Sequence, residues 1–474
     1  LQVIWSVVLA NGTPYLLSLG LPEPLTALAW MAGPLCGIFV QPYMGITSDN
    51  YSSRYGQRRP FIILGTIGTL LSMLLLAAIQ RLVSSLDIVF ILDEKEKSSI
   101  TVAAALVLVW ALNFWIQPLQ MGMRALIVES FPQEEQGRAS AWASYWVGCG
   151  NIIGYGTGFF SLPQALGIAT WGQFQCLCLI AACVLTFTVA IGCVAGREER
   201  THNSPVVPRS KTSGFPDLCT KVRTAYSNMT RRMRQVCIIQ FFSWMAWFPF
   251  LYYGSTYVSE LCKGTLCLIL LCAHILTQRT EDAIRQTANR IGTLSFLLFA
   301  CASLLTSISI HAFITPDLSA AEVLRKRTKN SQLSPNISKV WSLSHIFHAL
   351  TLASTFFITT WRVSLLFTFY IGISFSITQF TPFAIIGDEC AIIRDANDTQ
   401  LEAGAVMALH NVAISSPQLI AAGVCAIVFA VFKSLGIDGG AGWVIQLGAL
   451  PAMVAAWESR KLWKDSEMHH LAVV

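Results

Sequence analysis

Charged residues are scarce in this sequence. Only 12% of its 474 residues are Asp, Glu, Lys or Arg, whereas 54% are hydrophobic. A soluble domain carries about 25% charged residues, because its surface must be solvated by water. The scarcity therefore excludes an ordinary soluble protein. The apolar residues also occur in runs long enough to cross a bilayer, so we expect a protein that lies mostly in lipid.

The sequence also lacks the patterns of a metal site, a disulfide framework or a catalytic centre. Most of its 14 cysteines lie inside apolar runs, where cysteine behaves as a small hydrophobic side chain. There is no CxxC…CxxC pattern, no histidine-rich cluster and no pair of catalytic carboxylates at membrane depth. We therefore expect neither an enzyme nor a metal. The positive charges are confined to a few short loops, which argues against nucleic acid as a partner.

Apolar runs of roughly 18 to 25 residues predict about twelve membrane-spanning helices. A polar stretch at 196–235 separates six of them from the other six. We predict an all-α membrane protein with one six-helix bundle at 1–195, a cytoplasmic linker at 196–235, a second bundle at 236–457 and a cytoplasmic tail at 458–474. The predicted helices lie near 1–19, 25–47, 60–80, 101–128, 139–162, 170–195, 236–258, 289–312, 340–359, 363–387, 403–432 and 439–457.

Lys and Arg are distributed unequally between alternate loops. If both termini are cytoplasmic, the inside loops hold more than twice as many of these residues as the outside loops. Because cytoplasmic loops carry such an excess, we predict that both termini are cytoplasmic. Residues 262–287 fit this scheme poorly, since their apolar piece is too short to span a bilayer. Either a re-entrant segment or a retained intron would explain them.

Polar side chains form a stripe along the fourth predicted helix. They follow one another at spacings of 4, 3 and 4 residues, which places them on one helical face. Amides both donate and accept hydrogen bonds and a guanidinium adds five donors, so the stripe suits a hydroxyl-rich ligand. The alternative is interhelical hydrogen bonding that only holds the bundle together. The stripe consists of Asn113, Gln117, Gln120 and Arg124.

Glu129 lies near the cytoplasmic end of the same predicted helix. At about 100° per residue it points away from Arg124, so it is not simply part of the stripe. Partial removal from water favours the protonated form of a carboxylate, and a nearby arginine favours the ionised form. A proton-coupled carrier needs a carboxylate in this balance. The alternative is a solvated glutamate at the membrane interface.

Further polar side chains occur inside other predicted helices. Such residues are costly in a membrane and usually face a cavity or a partner helix. We expect four of them to bind the same ligand, and His410 lies beside one of these. The four are Asn151, Gln379, Asn411 and Gln418.

The segment GITSDNYSSRYGQRRPFI at 45–62 resembles the loop between helices 2 and 3 in the major facilitator superfamily. It has the longer form found in the sucrose transporter family of the glycoside–pentoside–hexuronide group. Similar segments occur in order before and after it, along both halves: TPYLLSLGLP, AWMAGPLCGIFVQP, RALIVE, GNIIGY, WMAWFPF, PFAI and NVAISSPQ. The fungal branch is the most similar. The resemblance implies transport of sucrose, maltose or related α-glucosides together with protons.

The resemblance also implies a gate at the cytoplasmic junction of the two bundles. Asp49 would cap a helix N-terminus or pair with an arginine across the junction, and so hold this side shut. Arg54, Arg58 and Arg59 would bond carboxylates and the carbonyl ends of helices there. A plain positive-inside signal would explain the arginines, but it would not explain Asp49 or the glycines that permit the turn.

Two further roles follow from the resemblance. Glu129 falls at the acidic proton-coupling position of the family, with Glu in place of Asp. Arg290 falls on an arginine associated with substrate binding, although Ile291 replaces its usual acidic neighbour. Two other departures from the plant members, Val8 for Gln and Glu23 for His, bear on specificity more than on fold.

We therefore predict proton-coupled import of sucrose- or maltose-type disaccharides by alternating access, with the sugar bound near mid-membrane. The proton is the coupling ion, and we expect no other cofactor. The expected partners are the sugar and the lipid bilayer. We expect the protein to be a monomer and to lie in the plasma membrane rather than in the vacuolar membrane. An uncoupled facilitator of the same fold and a carrier-like sugar sensor are the alternatives, although the tail after Trp457 is short for a sensor.

Overall fold

The described chain is almost entirely helical, and none of the described residues forms a strand. This finding confirms the predicted all-α class. The computed structural model describes residues 1–21, 23–49, 51, 53–90, 93–131, 133–160, 162–168, 170–196, 220, 223–224, 226–272, 278–314, 335–397, 403–436 and 440–473.

The helices before residue 196 lie where they were predicted, and the largest difference is ten residues at the end of the third helix. Apolar side chains from the first, third, fourth and last of them form most of one hydrophobic core. The helices are α1 (Gln2–Ser18), α2 (Glu23–Asp49), α3 (Arg59–Phe90), α4 (Glu94–Ser130), α5 (Gln133–Phe159), the four-residue α6 (Leu162–Ala165) and α7 (Gln173–Ala195).

The helices after residue 230 form a second group, whose core is rich in aromatic rings. Phe250 stacks on Phe296, with ring centroids 5.4 Å apart. The helices are α8 (Arg231–Cys272), α9 (Gln278–Ile314), α10 (Pro335–Ala353) with a 3₁₀ turn at Ser354–Phe357, α11 (Trp361–Asn397), α12 (Ala403–Ser434), α13 (Ala441–Leu447) and α14 (Ala449–Val473). We call the two groups the N-terminal and C-terminal halves.

Seven helices in the described part are long and apolar enough to cross a membrane: α3, α4, α7, α8, α9, α11 and α12. The other predicted spans are helical too, but they are shorter or more polar. In α5, for example, the stretch GCGNIIGYGTG contributes glycines and an asparagine. Small and polar residues suit a helix that packs against other helices and exposes little surface to lipid.

Five helices differ from their predicted bounds by ten residues or more. α3 ends at Phe90 and α11 at Asn397, each ten residues later than predicted, and α9 begins at Gln278, eleven residues earlier. α8 continues to Cys272 instead of ending near 258, so residues 262–272 are helix and not a re-entrant turn. The predicted helix at 439–457 is divided at Gly448, and its second part, α14, continues to Val473. Residues 273–277 and most of the predicted linker lie outside the described residues, and the bounds of the two bundles remain a prediction.

The two halves meet along a seam. On it, α12 contacts α2 and α4, while α5 contacts α9 and α11. Glycine permits the close approach of α2 and α12, because a Cβ atom at Gly37 would lie 2.2 Å from Ser415 Oγ. The candidate site lies in and beside this seam.

Candidate functional site

Three charged side chains meet where α2 ends, α3 begins and α4 ends. Arg58 is only 2% exposed, and its guanidinium donates hydrogen bonds to the carboxylates of Asp49 and Glu129. Its Nε lies 3.1 Å from the second carboxylate oxygen of Glu129. The contact with Glu129 is therefore bidentate, which is the stronger geometry for an arginine and a carboxylate. We call this end of the molecule the Arg58 end.

Asp49 also connects the two halves. Its second carboxylate oxygen accepts a hydrogen bond from the backbone N–H of Ala405, 3.1 Å away, in the first turn of α12. The first N–H groups of a helix lack intrahelical partners and attract negative charge. Asp49 thus makes the expected helix-terminus contact across the seam. Its arginine partner, in contrast, comes from its own half and not from across the junction.

The environment of Arg58 keeps it charged. Burial by itself lowers the pKa of its guanidinium, but the hydrogen bonds and charges of Glu129 and Asp49 raise that pKa above its ordinary value. Within the described residues, one guanidinium therefore faces two carboxylates. Asp49 is nearly buried, whereas the Glu129 side chain is 34% exposed. Glu129 is accordingly the carboxylate of the pair that water reaches more readily.

The other two arginines of the loop behave differently from each other. Arg59 donates a hydrogen bond to the carbonyl oxygen of Gly196, just after α7, which is the predicted kind of contact. Arg54 is exposed and contacts the hydroxyl group and ring of Tyr55. The predicted contact of Arg54 with a carboxylate or helix carbonyl is therefore wrong for the described residues, because this side chain projects from the turn into solvent.

The polar stripe on α4 forms mostly local hydrogen bonds. Asn113 and Gln117 are each 3% exposed, and their amide nitrogens donate to backbone carbonyls four residues earlier, at 2.8 and 3.0 Å. Gln120 is partly exposed and has no hydrogen bond to the described part of the chain. Each amide has two donors and an acceptor oxygen, so local bonding leaves hydrogen-bonding capacity for a ligand.

Arg124, the last residue of the stripe, reaches the C-terminal half. Its Nη1 lies 3.3 Å from Asn411 Oδ1, and its guanidinium carbon lies 4.9 Å from the centroid of the Phe383 ring. Asn411 in turn donates a hydrogen bond to the carbonyl oxygen of Gly37 at 3.3 Å. Two of the predicted substrate-binding residues thus touch each other across the seam.

Asn151 lies away from the seam. Its Oδ1 accepts hydrogen bonds from Gln2 Nε2 at 2.9 Å and from Ser6 Oγ at 2.7 Å. These bonds join α5 to α1 inside the N-terminal half, so the structure places Asn151 in a helix–helix contact. The rotation of α5 about its axis decides this, and the sequence alone does not determine that rotation.

The remaining predicted residues are scattered along the C-terminal half. Gln418 donates to the carbonyl oxygen of Ile414 in its own helix at 3.3 Å. Gln379 is partly exposed and has no hydrogen bond to any described residue. Arg290 is exposed, and its guanidinium carbon lies 5.4 Å from the ring centroid of Phe159, across the seam.

Sequence reasoning missed two contacts in the C-terminal half. Arg232 Nη1 lies 3.0 Å from Glu389 Oε1, which joins the start of α8 to α11. The acidic pair in IIGDEC, just after an apolar run, was the available signal for this ion pair. Gln240 Nε2 lies 3.4 Å from His410 Nε2, and both side chains are buried. No spacing in the sequence indicates that second contact.

Comparison with known proteins defines the class. The sequence profile of the Major Facilitator Superfamily matches residues 3–422, so the chain belongs to this superfamily of membrane transporters and is not an enzyme. The general alpha-glucoside permease of Schizosaccharomyces pombe is 28% identical over 97% of this chain and 91% of its own length. Sucrose transport protein SUT3 of Oryza sativa subsp. japonica is 29% identical, over 55% of this chain and 53% of that protein. The resemblance to α-glucoside and sucrose carriers is thereby confirmed.

Solved structures show the same fold. A crystal structure of the E. coli Fucose:proton symporter, FucP, superposes with a TM-score of 0.54 at 14% identity, over 97% of this chain and 96% of that chain. A bacterial homologue of the iron transporter ferroportin, in an outward-facing state, gives a TM-score of 0.53 at 11% identity, over 98% of both chains. The predicted major facilitator fold is confirmed.

Proposed function

We propose that this protein imports α-glucoside disaccharides of the sucrose and maltose type, with protons as the coupling ion. Two kinds of observation support the substrate class. The relatives are permeases for alpha-glucosides and sucrose, and Arg124 contacts Asn411 across the seam on the same helix that carries the buried amides of Asn113 and Gln117. Hydroxyl-rich sugars need many donors and acceptors, which this arrangement supplies. The sugar binds between the halves, at the α4 stripe and Asn411.

The shared arginine supports proton coupling, and it is the single observation on which the proposal rests most. When both carboxylates are ionised, Arg58 divides its hydrogen bonds between Glu129 and Asp49. Protonation of Glu129 removes one negative charge, and Arg58 then neutralises Asp49 more fully. Because Arg58 then offsets more of the negative charge of Asp49, this carboxylate attracts the N-terminus of α12 less strongly. The contact with Ala405 weakens, and the halves separate at the Arg58 end.

The distribution of Lys and Arg among the loops supports one orientation of the chain in the membrane. Both termini are cytoplasmic, so the Arg58 end faces the cytoplasm. The transporter is a monomer and lies in the plasma membrane. The alternating-access cycle then releases sugar on the side where Asp49 and Ala405 separate. Arg290, at the other end of the seam, meets sugar on entry.

The experiment is uptake into yeast that lacks its own disaccharide carriers. Radiolabelled sucrose and maltose are supplied separately across a range of external pH, with and without a protonophore. We expect accumulation above the external concentration that increases with acidity and disappears with the protonophore. Equilibration without accumulation, insensitive to the protonophore, would instead establish an uncoupled facilitator. No uptake of either sugar would refute the substrate class.

A further inference from the structure

A cavity of about 360 Å³ lies at the end of the C-terminal half opposite the Arg58 end. Arg232 pairs with Glu389 near the end of α11, and the next helix, α12, begins at the Arg58 end. Tyr257 follows Arg232 by 25 residues on α8, so it lies about 37 Å further along this helix, toward the opposite end. The cavity is separate from the seam, so a ligand that binds in it is additional to the transported sugar of the proposed function. All of the residues that line the cavity belong to the C-terminal half. They are Tyr257, Glu260, Leu261, Thr355, Phe356, Gly442, Trp443 and Gln446.

Aromatic rings surround one carboxylate in this cavity. Trp443 lies edge-on to Phe356 and Phe432, with centroid distances of 6.0 Å to each. Glycine at 442 allows close packing of Tyr257, because a Cβ atom there would lie 3.0 Å from its ring. Glu260 lines the same cavity and is partly exposed, and its carboxylate also accepts a hydrogen bond from the backbone N–H of Ala441 at the start of α13. Aromatic faces next to a carboxylate are the usual recognition site for an alkylated ammonium group.

The charges beside the cavity indicate which ammonium compound fits. Lys263 is close enough to Glu260 for its charge to act on the carboxylate. Among the described residues at and beside the cavity, Glu260 and Lys263 contribute one charge of each sign, and this pattern suits a zwitterion better than a simple cation. A phosphate-linked ammonium head group has this charge pattern, and Gln446 adds an amide donor.

The exposed rings around the cavity indicate a membrane source. Phe356 is 59% exposed, Phe357 80% and Trp443 49%. Exposed aromatic side chains of this kind collect at the membrane–water interface, where head groups lie. We propose that this cavity binds the choline or ethanolamine head group of a membrane phospholipid, with the ammonium against Glu260 and Trp443.

The test measures lipid retained by the full-length protein. The protein is reconstituted in nanodiscs of equal parts phosphatidylcholine, phosphatidylethanolamine and phosphatidylglycerol, then released into detergent, and bound lipids are counted by native mass spectrometry. We expect retention of the two ammonium lipids over phosphatidylglycerol. Glu260→Gln removes the anionic partner of the ammonium group and should reduce this preference about tenfold. Tetramethylammonium should compete with the lipids for the site.

A second variant and a control complete the test. Trp443→Leu changes a half-exposed ring, so it should fold and should also lose the preference. Glu94→Gln removes a highly exposed carboxylate elsewhere in the chain and should keep it. Sugar uptake by each variant verifies folding. Equal retention of all three lipids, unchanged retention in Trp443→Leu, retention that tetramethylammonium does not reduce, or displacement of the lipid by sucrose would each overturn the proposal.

Discussion

Asp49 and Ala405 are 356 residues apart in the chain, yet the carboxylate of one accepts a hydrogen bond from the backbone N–H of the other at 3.1 Å. The contact joins the last residue of α2 to the first turn of α12, and so joins one half to the other. Because Asp49 also accepts a hydrogen bond from Arg58, one carboxylate connects the buried guanidinium to the seam.

Replacement of Asp49 by Asn should favour separation of the halves at the Arg58 end. The variant keeps a hydrogen-bond acceptor but loses the charge that interacts with the α12 dipole, worth about 0.3–2 kcal/mol. Spin labels at the Arg58 ends of α2 and α12 should report a larger separated population. Arg54→Gln removes an exposed charge from the same loop and is the matched control; an equal shift in that variant would disprove a specific role for Asp49.

Replacement of Arg58 by Gln should destabilise the fold strongly. Two carboxylates would then lie together without their cation, and loss of one partner of a buried ion pair costs about 3–5 kcal/mol. Thermal unfolding of the purified protein measures the loss. The double variant Arg58→Gln/Glu129→Gln should recover part of it, because the two side chains that shared Arg58 then carry one negative charge instead of two. Additive losses in the double variant would show that the two residues are not coupled.

The site residues should separate into binding and structural groups. Arg124→Gln removes a charged donor from the seam, so we expect the KM for sugar to increase about tenfold or more. Asn151→Ala should leave the KM unchanged but lower the free energy of unfolding by about 1–3 kcal/mol, because Gln2 and Ser6 lose their acceptor. Initial uptake rates and thermal unfolding distinguish the two. A large KM effect in Asn151→Ala would contradict its placement against α1.

Glu458 should make stability depend on pH. Burial by itself raises the pKa of its carboxyl group, but hydrogen bonds from Lys461 and Gln235 more than offset this and lower that pKa below its ordinary value. A lowered pKa stabilises the folded state at pH values above the unfolded pKa, and the stabilisation is lost as the pH falls through the folded pKa. At neutral pH the Tm of the wild-type protein should therefore be higher than that of Glu458→Gln. This difference in Tm should disappear at acidic pH. A constant difference would exclude this linkage.

Much of the fold was predictable because it depends on local properties. The lengths of the apolar runs indicated the helices. The spacing of Asn113, Gln117 and Arg124 indicated that these residues share one face of a helix. The partner of Glu129 was not predictable, because Arg58 reaches it only through the path of the turn after α2. The orientation of Asn151 depends on how α5 packs against α1. Neither property leaves a periodic signal in the sequence.

The length of α8 was missed for a related reason. The apolar piece within 262–287 is too short to span a bilayer alone, and no glycine pair or proline marks a break before it. In the structure it extends α8 to Cys272. Continuity with the preceding helix decides its conformation, and a count of apolar residues does not show that continuity.

The most direct test of proton coupling compares accumulation with exchange in the Glu129→Gln variant. An amide at this position cannot take up a proton, so we predict that acid-stimulated accumulation is lost while exchange of labelled for unlabelled sugar continues. Glu135→Gln, which changes an exposed carboxylate six residues further on, should retain both. Acid-stimulated, protonophore-sensitive accumulation by Glu129→Gln at the wild-type level would contradict the role of this carboxylate.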